Sequence, residues 1–503
     1  MTLVTNSIKR WISEHRFVIF PFLAFIIPVA IRTIPEILIG PYIIGFDTLA
    51  FYVPNTLLWL HNGINLWNFL SIAPLFYSIY MSLVSAGASP VFLIKIISPL
   101  LLGFLGLSMF FFAKRGLSWS LVKSTFVAVL GTVYFVALRA SWDQLRVEFS
   151  LVFFFVVLML LVNQKNGSWK RYVLLASAML LVVLSDQIGA VIMLGVMIFT
   201  IVPNLFHKRY NQALNLTVAS LPAALYFVIV YFISTSVSGI LGYSNVTSPL
   251  VSWTGFASYQ SMLINEAGFF LYCFLPLLPL MAISFKQFGN LQLRSWLLLS
   301  LILLLIPTSV SPYRWLLMLV YPIAFYATES LSRLKTIRWK RSIFTLQRIA
   351  VLYLVLSTTV LSLGFIFMTS QQPLAYFDPK QFNAYLSQIP TSMLQNTISA
   401  ADCQSTVNVL QWFKENVNSS ALLLTHTAFY GWALLTLNVN QVRYYGFEDP
   451  ATAAMRIVQE GHTQIYLIWW VNGKGWYGQP TVSSSFHEIY HSGEIAIYKY
   501  ASN

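Results

Sequence analysis

Residues 43–54 read Ile-Ile-Gly-Phe-Asp-Thr-Leu-Ala-Phe-Tyr-Val-Pro and place a single acid, Asp47, among aliphatic and aromatic neighbours. The stretch comes directly after the first long apolar run of the chain. An ionised carboxylate beside a membrane surface costs free energy unless it faces water, a cation or a substrate. Aspartate is also a favoured N-cap, so Asp47 could instead cap a helix that begins at Thr48. Both interpretations stay open here, and they do not exclude each other.

The composition defines the kind of protein that surrounds this stretch. Of the 503 residues, 57% are hydrophobic and 9% are charged, whereas a soluble protein carries about 25% charged residues. The sequence therefore predicts a polytopic α-helical membrane protein. The formal net charge is +14. In a membrane protein, excess Lys and Arg set orientation and contact anionic lipid headgroups, so no nucleic-acid partner is expected.

Apolar runs and loop charges predict about eleven transmembrane helices, with a cytoplasmic N-terminus and an external C-terminal region. The first external loop, residues 35–90, contains Trp67–Leu83, which is apolar enough to span. We predict that this segment lies flat in the interface, because the basic loops that follow then all fall in the cytoplasm. The predicted spans are Phe17–Ile34, Val91–Ala113, Trp119–Leu138, Phe149–Val162, Tyr172–Leu184, Ile188–Phe206, Ala213–Ile233, Ala267–Phe285, Ser295–Val310, Trp315–Ala327 and Ile349–Met368.

The acidic residues show the opposite bias to the basic loops. Acids contribute little to orientation, so either chemistry on the external face or ordinary loop solvation explains their positions. Those predicted at or near that face are Glu36, Asp47, Asp143, Glu148, Asp186 and Glu266.

The chain becomes more polar after Thr369, which predicts a membrane domain over residues 1–369 and an external α/β domain over residues 370–503. Alternating apolar residues predict five strands, and longer periodic stretches predict three helices. The strands are Ala421–Thr425, Gln441–Tyr445, Thr463–Trp470, Phe486–Tyr490 and Glu494–Tyr500, and the helices are Val407–Val417, Ala428–Leu437 and Pro450–Gln459.

The second predicted external loop, Arg139-Ala-Ser-Trp-Asp-Gln-Leu-Arg-Val-Glu148, is rich in charge. If it is helical, Arg139, Asp143 and Arg146 lie on one stripe. Such a stripe can bind a phosphate through its guanidinium groups. It can equally be a ladder of ion pairs within the helix.

Arg314 lies in Ser311-Pro-Tyr-Arg-Trp315, a short external turn before a predicted span. An arginine at the end of a span commonly reaches to lipid headgroups. Arg314 also stands where the phosphate of a lipid-linked donor would lie, and Lys95 and Arg32 present weaker versions of the same pattern. Asp186 is best explained as a turn residue and helix cap.

The order of these parts resembles the GT-C class of integral membrane glycosyltransferases, which includes protein O-mannosyltransferases, the aminoarabinose transferase of lipid A and the catalytic subunit of oligosaccharyltransferase. The resemblance rests on Gly45-Phe-Asp47 after the first span, on Pro-Leu-Phe-Tyr at Pro74–Tyr77 and on Lys114-Arg115. It also rests on the second acidic loop, Asp143–Glu148, and on the terminal Gly-Glu-Ile-Ala-Ile-Tyr-Lys at 493–499.

The resemblance implies an inverting transferase that uses a polyprenyl- or dolichyl-phosphate sugar on the external or lumenal face. It assigns Asp47 and Asp143 as catalytic acids, and Arg139, Arg146 and Arg314 as phosphate contacts. If a divalent cation, Mg²⁺ or Mn²⁺, takes part, Asp47, Asp143 and Glu148 are its predicted ligands. The expected partners are a lipid-linked sugar donor, membrane lipids and an acceptor that is a glycan, a lipid or a protein.

Two other functions remain compatible with the sequence. One is a transporter or flippase of lipid-linked sugars, and the other is a catalytically silent relative whose external domain recruits partners. The sequence carries no Gly-rich phosphate loop or nucleotide fingerprint, which argues against a nucleotide-sugar enzyme. The protein is expected in a cell membrane or in the endoplasmic reticulum.

Overall fold

A computed structural model describes residues 2–162, 168–233, 257–305, 312–334, 346–382, 384–446, 448–471 and 482–501. The end of the predicted span Ser295–Val310 and most of the basic stretch Arg333–Arg341 lie outside these ranges. The helices up to residue 206 are α1 (Thr2–Leu38), α2 (Val53–Asn62), α3 (Leu66–Ser71), α4 (Pro74–Ser85), α5 (Pro90–Phe111), α6 (Leu121–Val133), α7 (Phe135–Asp143), α8 (Leu145–Val162), α9 (Trp169–Ser185) and α10 (Gln187–Phe206).

The helices that follow complete the membrane part and then enter the C-terminal region. They are α11 (Tyr210–Tyr226), α12 (Tyr259–Phe274), α13 (Leu278–Phe285), α14 (Leu291–Leu305), α15 (Pro312–Leu317), α16 (Val320–Leu334), α17 (Leu346–Phe367), α18 (Cys403–Asn416), α19 (Thr427–Thr436) and α20 (Pro450–Gln459). The strands are β1 (Leu422–Thr425), β2 (Val442–Tyr444), β3 (Ile465–Trp470), β4 (Phe486–Ser492) and β5 (Ile495–Tyr500).

Among the described residues, six helices are long and apolar enough to cross a membrane, or up to eight if two bent pairs each count as one span. The protein is therefore an integral membrane protein, and the prediction of about eleven spans exceeds this number. The six are His15–Leu38, Pro90–Gly116, Leu145–Val162, Gln187–Phe206, Tyr210–Val230 and Leu346–Phe367.

Two predicted spans are bent helix pairs in the structure. The segment predicted as Trp119–Leu138 divides into α6 and α7, which meet at 58°, and α12 and α13 meet at 91°. The break after α6 leaves the Val133 carbonyl free of its helical donor, and the Ser362 hydroxyl donates to that oxygen at 2.7 Å. A broken helix is tolerated at membrane depth when neighbouring groups satisfy its backbone in this way. The break directs α7, with Arg139 and Asp143, towards the C-terminal residues.

The first loop holds short helices rather than one long segment. The predicted interfacial segment Trp67–Leu83 divides into α3 and α4, which are separated at Ala73 (φ 63°). Aromatic residues of α4, including Phe76, Tyr77 and Tyr80, are buried. Several apolar side chains of this loop, Leu66 among them, are exposed. Its position in the interface stays a prediction.

The C-terminal sheet has the order β2-β1-β3-β5-β4. Strand β1 is parallel to β2 and β3, whereas β5 is antiparallel to β3 and β4. All five predicted strands and all three predicted helices of this region occur, with bounds shifted by at most a few residues. Strand β3 is buried along its whole length, as expected for a strand with neighbours on both sides and helices on its faces. The division of the chain at residue 369 stays a prediction.

Helix α19 packs directly against the segment that carries Asp47. A π-helical turn over Thr48–Tyr52 precedes α2, and Pro54 next to it has no N–H to donate to the preceding turn. A Cβ atom at Gly431 of α19 would lie 2.1 Å from the Leu49 carbonyl oxygen of this turn. Only glycine allows this approach, which joins the C-terminal region to the Asp47 segment.

The substitution Gly431→Ala is expected to lower the free energy of unfolding by about 1–3 kcal/mol, because the added methyl group overpacks a backbone contact. The measurement is the melting temperature of the detergent-solubilised protein. Gly289→Ala is the matched control, since a Cβ there would meet no atom within 4 Å. Equal melting temperatures for the two variants would contradict the close packing of α19.

His426 is expected to make the C-terminal region sensitive to acid. Burial lowers the pKa of His426 from 6.5 to about 4, so the unfolded chain binds a proton at a higher pH than the folded chain does. Stability is therefore fully present above pH 6.5 and is lost as the pH falls from about 6.5 to about 4. The control His426→Asn retains a side-chain acceptor for the Ala428 N–H at the start of α19 but does not titrate. Melting temperatures that fall in parallel for both proteins between pH 7 and pH 4 would contradict this prediction.

Candidate active site

A cavity of about 240 Å³ lies where the first loop, α7, α15 and the coil before α18 meet. It contains two acids and two arginines, together with aromatic and polar side chains. Its lining residues are Phe46, Asp47, Arg139, Trp142, Asp143, Tyr313, Arg314, Ser387, Gln388, Pro390 and Gln395. The sequence predicts four of these as functional residues: Asp47, Asp143, Arg139 and Arg314. The structure brings those four together.

Asp47 enters the cavity from the end of the first loop. Its side chain makes no capping hydrogen bond to the turn that follows, so the helix-cap interpretation is wrong for this residue. Its Oδ2 atom lies 3.5 Å from Nη2 of Arg314, and the residue is 7% exposed. A cation and a cavity, rather than the helix end, therefore account for this carboxylate. Asp186 does act as a cap, because its Oδ1 accepts from the Ile188 and Gly189 N–H groups at 2.7 and 3.2 Å.

Arg139 and Asp143 form the tighter of the two ion pairs. Nη1 of Arg139 lies 2.6 Å from Oδ1 of Asp143, one helical turn away along α7. The Nε of Arg139 also donates to the Gln388 carbonyl at 3.0 Å, and its guanidinium carbon lies 4.9 Å from the centre of the Trp142 ring. The pair is thus held in one orientation by groups from both parts of the chain. Its i, i+4 geometry agrees with the ion-pair ladder.

Arg146 does not lie on the same stripe, so the stripe predicted over Arg139, Asp143 and Arg146 is wrong in its third member. Helix α7 ends at Asp143, and Gln144 (φ −100°, ψ 50°) turns the chain before α8 begins. The Nη1 of Arg146 donates to the Ile72 carbonyl instead. Its guanidinium lies 5.8 Å from the ring centre of Tyr52, and Arg146 is outside the set of residues that line the cavity.

Glu148 also lies apart from the cavity. It is fully buried in α8, and no hydrogen-bond partner is found for either of its carboxylate oxygens among the described residues. Across the described part of the chain, no group of three or more His, Cys, Asp or Glu side chains is arranged to hold a metal ion. The predicted cation ligands Asp47, Asp143 and Glu148 therefore do not converge, since Asp47 and Asp143 each face an arginine and Glu148 lies elsewhere.

Sequence reasoning missed the residues that close the cavity from the C-terminal side. The Gln395 carbonyl accepts from the Trp142 indole N–H at 2.8 Å and from the Gly45 N–H at 3.0 Å. Gln388 adds the carbonyl that receives Arg139. These contacts span 249 to 350 positions of sequence and lie in irregular coil, so no local pattern reveals them. Tyr313 was detectable only as the neighbour of Arg314.

No family model matches the chain, and no curated protein matches it. Two solved structures of ArnT from Cupriavidus metallidurans are similar to it. The one bound to undecaprenyl phosphate has a TM-score of 0.55 and 11% identity, covering 96% of this chain and 97% of that chain. The apo state has a TM-score of 0.52 and 11% identity, and covers 98% of each chain.

The oligosaccharyltransferase of Archaeoglobus fulgidus in its apo form is also similar, with a TM-score of 0.50 and 10% identity over 90% of this chain and 70% of that chain. At identities of 10–11% these likenesses establish the fold. The chain has the fold of the GT-C class of membrane glycosyltransferases, which confirms the resemblance that the sequence predicted.

Removal of Arg139 is expected to destabilise the protein strongly. Arg139→Ala leaves the Asp143 carboxylate buried without its cation, which costs about 3–5 kcal/mol. The double substitution R139A/D143A should recover part of that loss, because it removes the orphaned charge. Arg456→Ala, on a side chain that is 53% exposed, is the control and should leave the melting temperature unchanged. A double variant less stable than R139A would contradict this account of the pair.

Proposed function

We propose that the protein is an inverting glycosyltransferase that moves a sugar from a polyprenyl- or dolichyl-phosphate donor to an acceptor on the external or lumenal face. The observation that carries this proposal is the cavity in which Asp47 and Asp143 face Arg314 and Arg139. Further support comes from the shared fold with ArnT, whose structure is bound to undecaprenyl phosphate. The N-terminus is then cytoplasmic, and the C-terminal region lies on the side of the reaction.

In the proposed reaction Asp47 is the general base. Its carboxylate accepts the proton of the acceptor as the acceptor oxygen or nitrogen attacks the anomeric carbon. The bond between that carbon and the phosphate oxygen breaks, and its electron pair leaves with the polyprenyl phosphate. Attack from the face opposite the phosphate inverts the anomeric carbon.

Arg314 is the guanidinium best placed to receive the donor phosphate. Its separation of 3.5 Å from Asp47 is longer than the roughly 2.7–2.9 Å of a strong charge-assisted hydrogen bond. A phosphate that engages Arg314 would take this contact and leave the Asp47 carboxylate available as a base. Arg139 is already held by Asp143 and Gln388, so we assign it the orientation of Asp143. Arg146, beside Tyr52, remains a proposed phosphate contact outside the cavity.

The mechanism contains no metal step, because the three acids predicted as cation ligands do not converge. The two acids in the cavity face arginines at 2.6 and 3.5 Å, and these guanidinium groups can balance the charge of the phosphate. Dependence on Mg²⁺ or Mn²⁺ remains a prediction. It is tested by adding EDTA to the transfer assay and then restoring either ion.

A transporter or flippase of lipid-linked sugars is the second candidate, and buried acids favour it. Transporters place ionisable groups within the membrane, often on broken helices. Glu148 is buried within the span Leu145–Val162, and Glu266 is buried in α12, which belongs to a bent pair. Movement of a fluorescent lipid-linked sugar across liposomes, without a transfer product, would favour this candidate.

Asp47→Asn is expected to reduce sugar transfer by about 10²–10⁴-fold, the usual contribution of a general base. The assay supplies a panel of radiolabelled undecaprenyl-phosphate sugars and extracted membrane acceptors to the purified protein. The melting temperature should stay close to that of the wild type, since the amide keeps the shape of the carboxylate. Asp449→Asn is the matched control, because Asp449 caps α20 outside the cavity and Asn is an equally good cap.

Transfer by Asp47→Asn at the wild-type rate would remove this residue from the mechanism. Arg314→Ala provides an independent arm, in which the KM for the donor should rise. An Arg314→Ala protein with unchanged KM would remove the phosphate role from that residue.

A further inference from the structure

Lys95 in α5 is fully engaged with the backbone that leads to Asp47. Its Nζ donates to the carbonyls of Glu36 at 2.6 Å, Gly40 at 2.6 Å and Tyr42 at 2.7 Å. An ammonium group has three donors, and these three carbonyls use all of them. The structure therefore does not support the phosphate contact that the sequence pattern suggested for Lys95.

The three carbonyls belong to the end of α1 and to the turn that follows it. The last carbonyls of a helix have no donor within the helix, and a cation there also interacts favourably with the helix dipole. Glu36 lies in the final turn of α1, whereas Gly40 and Tyr42 lie in the chain beyond it. One ammonium group thus fixes the path from the end of α1 to within five residues of Asp47.

The same helix end is tied to α7 on the other side of the cavity. Nη1 of Arg32 lies 2.7 Å from Oε1 of Glu36, and Nη2 of Arg32 donates to the Ser141 carbonyl at 3.2 Å. Oε2 of Glu36 lies 3.8 Å from the Lys95 ammonium. Arg32, Glu36 and Lys95, named here the α1 clamp, thus connect the Asp47 segment with the backbone two residues before Asp143.

We propose that Lys95 is a positioning residue for the reaction: through the α1 clamp it sets the position of Asp47 relative to Asp143 and Arg314. This inference rests on the proposed function. Lysine suits this place because three carbonyls converge on one point, which matches a compact ammonium with rotatable donors. The planar fork of an arginine cannot direct three donors to one point in this way.

The test compares Lys95→Met, Lys95→Arg and Lys123→Met in the full chain. Methionine keeps much of the length of the side chain but removes all three donors. Lys123 is the matched control, because its side chain is 20% exposed against 19% for Lys95 and it also forms an ion pair, with Glu329. Displacement of a reacting group by about 1 Å can cost 10²-fold in rate. We expect kcat to fall by about 10–100-fold in K95M, with the KM for the donor within about twofold of the wild type.

A second measurement reads the position of the segment without any substrate. Hydrogen exchange followed by mass spectrometry should show faster exchange in residues 39–47 of K95M, with exchange in α18 and the sheet unchanged. K95R should show the same pattern to a smaller degree, and K123M should match the wild type in both assays. Wild-type kcat and exchange in K95M would overturn the inference, as would loss of exchange protection throughout the chain in both K95M and K95R.

The two measurements separate this inference from the proposed function. If the wild-type protein transfers no sugar from any donor in the panel, the proposed reaction fails. Faster exchange confined to residues 39–47 would then still support the α1 clamp as the device that positions Asp47.

Discussion

The approach of Gly45 to the Trp142 carbonyl is the constraint on which the site depends. Gly45 has a φ of +96°, and a Cβ atom on it would lie 2.0 Å from that oxygen. A side chain at this point would force the first loop away from α7 and would separate Asp47 from Asp143. The Gln395 carbonyl seals the same junction by accepting from the Gly45 N–H and the Trp142 indole. Three segments that are remote in sequence therefore meet at one backbone contact.

Around this junction the buried charges are arranged in pairs of unequal strength. The Arg139–Asp143 and Arg32–Glu36 pairs are close and lie within single helices, so helical spacing alone brings their members together. Asp47 and Arg314 are 267 residues apart and their contact is longer. A buried pair gains specificity of structure more than stability. The close pairs hold the framework, and the looser contact is the one that a charged ligand can rearrange.

Local patterns predicted much of this molecule correctly. The five strands and three helices of the C-terminal region follow from alternation and from 3.6-residue periodicity, and the ion pair of Arg139 with Asp143 follows from i, i+4 spacing. The same rule failed for Arg146, because the chain turns at Gln144, which no proline or glycine announces. The span prediction failed to detect the breaks in two helices, since Tyr134 and the residues near Leu275 are as apolar as a continuous span.

The sequence by itself determined that this is a membrane protein with a GT-C-like order of parts and that Asp47, Asp143 and Arg314 are candidates for its chemistry. Composition and periodicity act locally, so one chain is enough to show them. Only the tertiary structure decided that Asp47 faces a cavity rather than a helix end, that Glu148 lies apart and that Lys95 is engaged by carbonyls. Those outcomes depend on the directions of side chains and on contacts between distant segments, which are fixed when helices and coil pack together.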